Sequence, residues 1–163
     1  MLYLIPRPVH IVALRTVHFI RLRWWRWSGA RVTGCRVVVL DDTDRVLLIR
    51  HSYGSRGWML PGGGLKRGED ARAAAAREVM EEAGLQLSGM VEVGFVSDVL
   101  HGACHEVRIV AGWTQDSPRP DGREVIEACF FALDRLPQAM SPKLVGALPG
   151  YVTAAKAARP LAG

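Results

Sequence analysis

The stretch Gly63 to Leu85, GGLKRGEDARAAAAREVMEEAGL, constrains this chain more than any other part of it. Glu78, Glu81 and Glu82 stand at i, i+3 and i+4. In a helix that spacing puts three carboxylates on one face, with neighbours roughly 5 to 6 Å apart. Like charges that close repel, and a surface helix gains nothing from gathering them, whereas a divalent cation between them turns the repulsion into binding. The helix is well specified: Ala71 and the run Ala73 to Ala76 have the highest helix propensity available. Glu69 and Asp70 are expected in its first turn, where the macrodipole favours negative charge. Gly84 supplies the stop. Before the helix, Pro61, Gly62, Gly63, Gly64 and Gly68 predict an irregular loop whose small residues let backbone approach a ligand or metal.

Taken together, Gly63, Glu69, Arg77, Glu78, Val79, Glu81, Glu82, Gly84 and Leu85 fill every position of the pattern G-x5-E-x7-R-E-U-x-E-E-x-G-U, with U a bulky aliphatic residue. Here the chain resembles the Nudix hydrolases, which cleave nucleoside diphosphates linked to another moiety. At ordinary residue usage the odds of a chance match in a chain this long are on the order of one in a million. The similarity extends from about Val32 to Pro137, including Phe130-Phe-Ala-Leu-Asp-Arg-Leu-Pro137, which is similar to the family's common last strand and turn.

At 163 residues the chain is long enough for one domain with a real core and has no room for a second. Cys35, Cys104 and Cys129 are odd in number and form no C-x-x-C pair, so neither a disulfide framework nor a zinc site is indicated. They are expected to be small core residues of a protein in a reducing, cytoplasmic compartment. The net charge of +5 is unevenly placed. Residues 1–40 hold Arg7, Arg15, Arg21, Arg23, Arg26, Arg31 and Arg36 and no acid, so the body of the chain is slightly acidic. A nucleic-acid-binding domain carries its basic stripe on the binding fold itself. Small nucleotides are therefore preferred over polymers as substrates, and a nucleic-acid partner is not expected.

Residues 1–30 are read as a separate basic amphipathic segment and residues 31–163 as the Nudix domain. Between Val9 and Trp27, apolar residues such as Ile11, Leu14, Val17, Ile20, Trp24 and Trp27 recur at about helical spacing among arginines. The charges interrupt any membrane span or signal-peptide core. Three readings remain, in order of preference: a helix packed on the domain or on a second subunit in a homodimer, a peripheral helix on an anionic membrane surface, and an organelle presequence.

Further along, Cys35 to Leu40 and Val46 to Ile49 predict a hairpin with an acidic turn. Arg50 follows, then a loop in which Tyr53 and Arg56 are candidates for stacking on a base or gripping a phosphate, so these three are the candidate substrate-binding residues. Trp58 to Leu60 form a short strand, with Trp58 in the core. Val91 to Val99 and Glu106 to Trp113 are strands joined across His101 to His105, the only histidines expected near a site, where a surface or capping role is commoner than catalysis. Val125 to Leu133 is a last strand. A helix starts at Ser141 and Pro142, and an Ala-rich tail follows Pro149 and Gly150.

Strands on both sides of one helix, with another helix at the end, imply an α/β fold with a mixed sheet flanked by helices. The resemblance implies the Nudix-type three-layer α/β/α sandwich. It also implies that Glu78 and Glu82 are the main Mg²⁺ (or Mn²⁺) ligands, that Glu81 is a further one, and that the Gly62 carbonyl joins them. Glu69 and Arg77 would pair and orient the carboxylates. The general base would come from the signature helix or from another strand, with Glu124 and Glu127 as candidates and Glu124 preferred. Sequence markers of the ADP-ribose, diadenosine-polyphosphate and coenzyme A subgroups are absent. The leading expectation is a Mg²⁺-dependent pyrophosphatase acting on a nucleoside di- or triphosphate or nucleotide sugar. The alternatives are an RNA 5′-end pyrophosphohydrolase and a nucleotide-sensing domain without catalysis, the latter disfavoured because every signature glutamate is present.

Overall fold

Val37, Val38, Val39 and Leu40 are all fully buried, although consecutive strand residues point to opposite faces. Such a run belongs to a central strand covered on both sides. In the computed structural model, which describes residues 32–52, 54, 57–100, 103–120 and 122–160, that strand is β1 (Val32–Leu40), the middle of five. The others are β2 (Val46–His51), β3 (Ser88–Leu100), β4 (Ala103–Trp113) and β5 (Val125–Phe131), in the order β3-β4-β1-β2-β5. β1 runs parallel to β4, with Val37 opposite Val110, and the other neighbours are antiparallel, so the sheet is mixed.

Each face carries a helix. Cys35, Val37 and Val39 of β1 with Leu47 and Ile49 of β2 meet α1 (Ala71–Ala83) through Ala71, Ala74, Ala75, Val79 and Ala83. Val38 and Leu40 with Val46 and Leu48 meet α2 (Pro142–Ala157) through Leu148, Val152 and Ala155. This is the expected α/β/α sandwich. The α1 contact face is almost entirely alanine, which contributes little apolar area per residue but lets the helix lie close to the sheet.

The hairpin turn is acidic for a structural reason. Asp41 is buried and accepts from Thr43 N, Thr43 Oγ1, Arg45 N and Arg45 Nε at 2.7–2.9 Å. Burial alone would raise its pKa, but these bonds outweigh it and hold the carboxyl below its ordinary value. Beyond Leu40 and Val46 the two strands diverge, and the Met59–Leu65 segment wedges between them. Ile49 exchanges both backbone bonds with Met59, while Pro61 O and Gly63 O accept from Val37 N and Cys35 N at 2.9 Å.

Several elements differ from the sequence expectation. Asp70 is the N-cap of α1, accepting from Arg72 N and Ala73 N, so it and Glu69 precede the first turn. A short acceptor side chain satisfies the free N–H groups best from that position. β3 and β4 extend further, leaving His105 within β4 opposite Asp98, while His101 lies outside the described residues. The last strand ends at Phe131, and Leu133–Arg135 form a 3-10 turn. α2 begins as expected at Pro142 with Ser141 as N-cap, but it continues through Pro149 to Ala157. Burial of Leu148, Val152 and Ala155 on one face outweighs the backbone bond that Pro149 forgoes. Cys35 is buried and its thiol pKa is pushed up by burial, whereas Cys129, on the edge strand β5, is exposed rather than in the core. The N-terminal helix reading, and Tyr53 and Arg56, fall outside the described residues.

Candidate active site

The wedge loop and α1 form one bonded unit. Gly62 takes φ +135°, and a Cβ there would lie 2.3 Å from the Cys35 carbonyl oxygen, so only glycine fits against β1. A side chain on Gly63 would meet the Glu78 carboxyl group at about 2.5 Å. The glycines thus let the loop backbone run between β1 and the carboxylates of the helix.

Arg77 ties loop to helix. Its Nε and Nη2 donate to the two oxygens of Glu69 at 3.0 Å, its Nη1 donates to Glu78 Oε1 at 2.6 Å, and Nη2 also reaches Gly64 O at 3.2 Å. Glu69 Oε2 accepts in addition from Lys66 N at 2.8 Å. The Arg77 bonds, then the Lys66 N–H, hold the Glu69 carboxyl down at about 2, and the same carboxylates raise the Arg77 pKa. The expected Arg77–Glu69 pair is therefore formed, with the bidentate geometry specific to arginine.

The three signature glutamates share a helix face but not an environment. The Glu82 side chain is 8% exposed, Glu78 15% and Glu81 61%. Glu82 Oε2 accepts from Gly62 N at 2.8 Å, and its Oε1 lies 2.9 Å from His51 Nε2. Burial raises the Glu78 pKa; Arg77 opposes this, and the charges of Glu82 and Glu81 add to it. The Gly62 carbonyl accepts from Arg36 Nη1 at 2.9 Å.

Among the described residues no three His, Cys, Asp or Glu side chains converge into a ready cage. The donors are hard carboxylate oxygens; at Glu78 it is burial, more than the neighbouring charges of Glu82 and Glu81, that disfavours the ionised form against the pull of Arg77. They fit Mg²⁺, which takes one or two carboxylates and completes its shell with water and substrate phosphate. Glu78 and Glu82 would hold it, with Glu81 alongside.

The remaining candidates divide between the faces of the sheet. His51 continues the alternation of Leu47 and Ile49 on the α1 side, whereas Arg50 shares the α2 side with Leu48. There Arg50 pairs with Glu127 at 2.6 Å and lies over the Trp58 ring, which packs edge-on against Phe131. Arg50 and Glu127 are thus directed away from the glutamate helix, because neighbouring strand residues point oppositely. Glu124 immediately precedes β5, and its carbonyl accepts from Ser52 N at 2.9 Å, beside His51. His51, which the sequence reading did not single out, meets a signature glutamate. Its signal was the two-residue alternation of β2. Arg36, counted in the sequence with the N-terminal basic residues, is engaged within the fold.

Residues 30–150 match the NUDIX domain family, and the chain belongs to the Nudix hydrolases. It is 31% identical over 123 residues to mRNA-decapping enzyme subunit 2 of Arabidopsis thaliana, covering 73% of this chain and 32% of that one. It is 45% identical over 56 residues to ADP-ribose pyrophosphatase of Mycobacterium tuberculosis, covering 32% of this chain and 27% of that one. The chain thus spans about a third or less of the length of these relatives. Among solved structures, a MutT NUDIX hydrolase from Burkholderia pseudomallei superposes with a TM-score of 0.64 at 27% identity, covering 73% of this chain and 96% of that one.

Proposed function

We propose that the chain hydrolyses the pyrophosphate linkage of a small nucleoside diphosphate derivative, a nucleoside triphosphate or nucleotide sugar, with Mg²⁺ or Mn²⁺ as cofactor. The observation that carries this reading is the burial of Glu78 and Glu82 on one helix face against the Gly62–Gly63 backbone. When bound, the metal acidifies a water and offsets charge on the departing phosphate. The chain's own part is positional. Arg77 and Glu69 lock the loop to the helix, and the Gly62 N–H fixes one oxygen of Glu82. Glu124, at the edge of the neighbouring strand, takes the proton from the attacking water in this reading. Tyr53 and Arg56, which follow His51 in the sequence and lie outside the described residues, are the proposed contacts for the base and the phosphates. Arg50, on the other face, supports the sheet instead.

A screen of nucleotides for phosphate or pyrophosphate release, with and without chelator, tests this directly. Release should require the metal, and Glu82→Gln or Glu78→Gln should remove most of it while the fold survives. Full turnover in excess chelator, or near-native rates in both variants, would exclude this helix as the catalytic centre. A second reading, cleavage at an RNA 5′ end, is favoured by the decapping relative, whose match spans 73% of the chain, and by the six arginines of residues 1–31. It requires turnover of 5′-triphosphate RNA together with binding that weakens steeply as salt rises. Turnover confined to mononucleotides excludes it.

A further inference from the structure

His51 is 11% exposed and sits where β2 ends. Its backbone is held on both sides. Within the ladder it is opposite Val125, across a bulge that leaves Ile126 without a partner. One residue on, Ser52 N donates to Glu124 O at 2.9 Å and Ser52 Oγ donates to Arg123 O at 2.7 Å. Anchored in this way, the ring reaches across to α1 and places Nε2 2.9 Å from Glu82 Oε1. Glu82 Oε2 accepts from Gly62 N at 2.8 Å. The two oxygens of one buried carboxylate are therefore gripped from two different elements, the wedge loop and the end of β2.

We propose that His51 is a positioning residue for Glu82. Its Nε2–H donates to Oε1 and, together with the Gly62 N–H on Oε2, stops rotation of the carboxylate, leaving the remaining lone pairs for the metal. A carboxylate oxygen has two lone pairs, so one hydrogen bond on each does not exhaust its capacity as a ligand. Partners that orient a ligand in this way are commonly worth about 10- to 100-fold in metal affinity. His51 touches neither substrate nor metal in this arrangement. It acts through Glu82, and it couples the catalytic helix to the strand end that carries Glu124. The inference rests on the reading of Glu82 as a metal ligand.

The test is a double-mutant cycle read by Mn²⁺ binding to nucleotide-free protein, followed by electron paramagnetic resonance. His51→Phe keeps a ring of similar volume without a donor, and should weaken Mn²⁺ binding about 10- to 100-fold. It should lower kcat with little change in KM for the nucleotide. His51→Gln, which restores an N–H donor, should recover most of the loss. In a Glu82→Gln background, His51→Phe should have no further effect on Mn²⁺ affinity. Unchanged affinity in His51→Phe, or a loss that persists undiminished in the Glu82→Gln background, would overturn the positioning role while leaving the hydrolase reading intact. If Glu82→Gln itself leaves Mn²⁺ binding unchanged, both readings fall. Nitrogen NMR of the metal-free wild-type protein gives a check that needs no variant to fold. The His51 ring should carry its proton on Nε2, and a ring with that nitrogen unprotonated would overturn the proposal.

Discussion

Glu124 and Glu127 are three residues apart, yet a bulge and an ion pair separate what they can do. Glu127 faces the α2 side, where its Oε1 accepts from Arg50 Nη2 at 2.6 Å. Glu124 stands beside Ser52, next to the residue that touches Glu82. Glu124→Gln should slow the chemical step by roughly 10² or more, the usual loss when a general base is removed. Glu127→Gln should change kcat by no more than a few-fold, its half-exposed ion pair being worth at most about 1 kcal/mol of stability. Pre-steady-state rates for the two variants across pH would decide this, and equal behaviour would send the search for the base back to α1. Gly62 and Gly68 make a second contrast. Both have positive φ, but a Cβ on Gly62 strikes the Cys35 carbonyl, whereas one on Gly68 meets nothing within 4 Å. Gly62→Ala should cost at least about 2 kcal/mol and displace the N–H that holds Glu82, while Gly68→Ala should cost about 1 kcal/mol. Urea denaturation of both variants reads the difference.

Between residue and sheet, the loop–helix unit depends on the Arg77–Glu69 fork, and that dependence has a pH signature. The Glu69 carboxyl is held at about 2 by Arg77 and then by the Lys66 N–H. A folded-state pKa below the unfolded one adds stability that is fully present above the ordinary carboxylate range and is lost as pH falls through about 2. Glu69→Gln should therefore be less stable than wild type at neutral pH, and the gap should close as pH falls from about 5 to about 2. Denaturant midpoints at several pH values measure it; a gap independent of pH would mean that the ion pair contributes nothing. Elements whose signal is local were legible beforehand: α1 from its alanines, Asp70 and Gly84, the β1–β2 turn from Asp41 to Asp44, and the start of α2 from Ser141 and Pro142. What escaped depends on distant partners. Pro149 stays helical because the far face of the sheet holds Leu148 and Val152. His51 meets Glu82 across 31 positions of sequence. Arg50 was misplaced because strand alternation assigns its face only once the neighbouring residue is known to meet α1.

At the scale of the molecule, α1 packs on one face of the sheet and α2 on the other. The bonds described for Glu69, Glu78 and Glu82 come from Lys66, Arg77, Gly62 and His51, all within the sandwich. No helix among the described residues is long and apolar enough to cross a membrane. The basic, tryptophan-rich stretch Val9 to Trp27 is thus proposed to be separable from catalysis, and a protein lacking residues 1–27 should keep turnover per folded molecule within a few-fold. What should change is association. If the stretch packs on a second subunit, its removal shifts the oligomer to smaller size. If it lies on membranes, removal abolishes binding to anionic vesicles, and in the full chain that binding weakens as salt screens the arginines. Light scattering and vesicle sedimentation on the two proteins separate these outcomes. Loss of turnover in a truncated protein that remains folded would contradict separability and bring Arg21 or Trp24 to the substrate, making the segment part of the site.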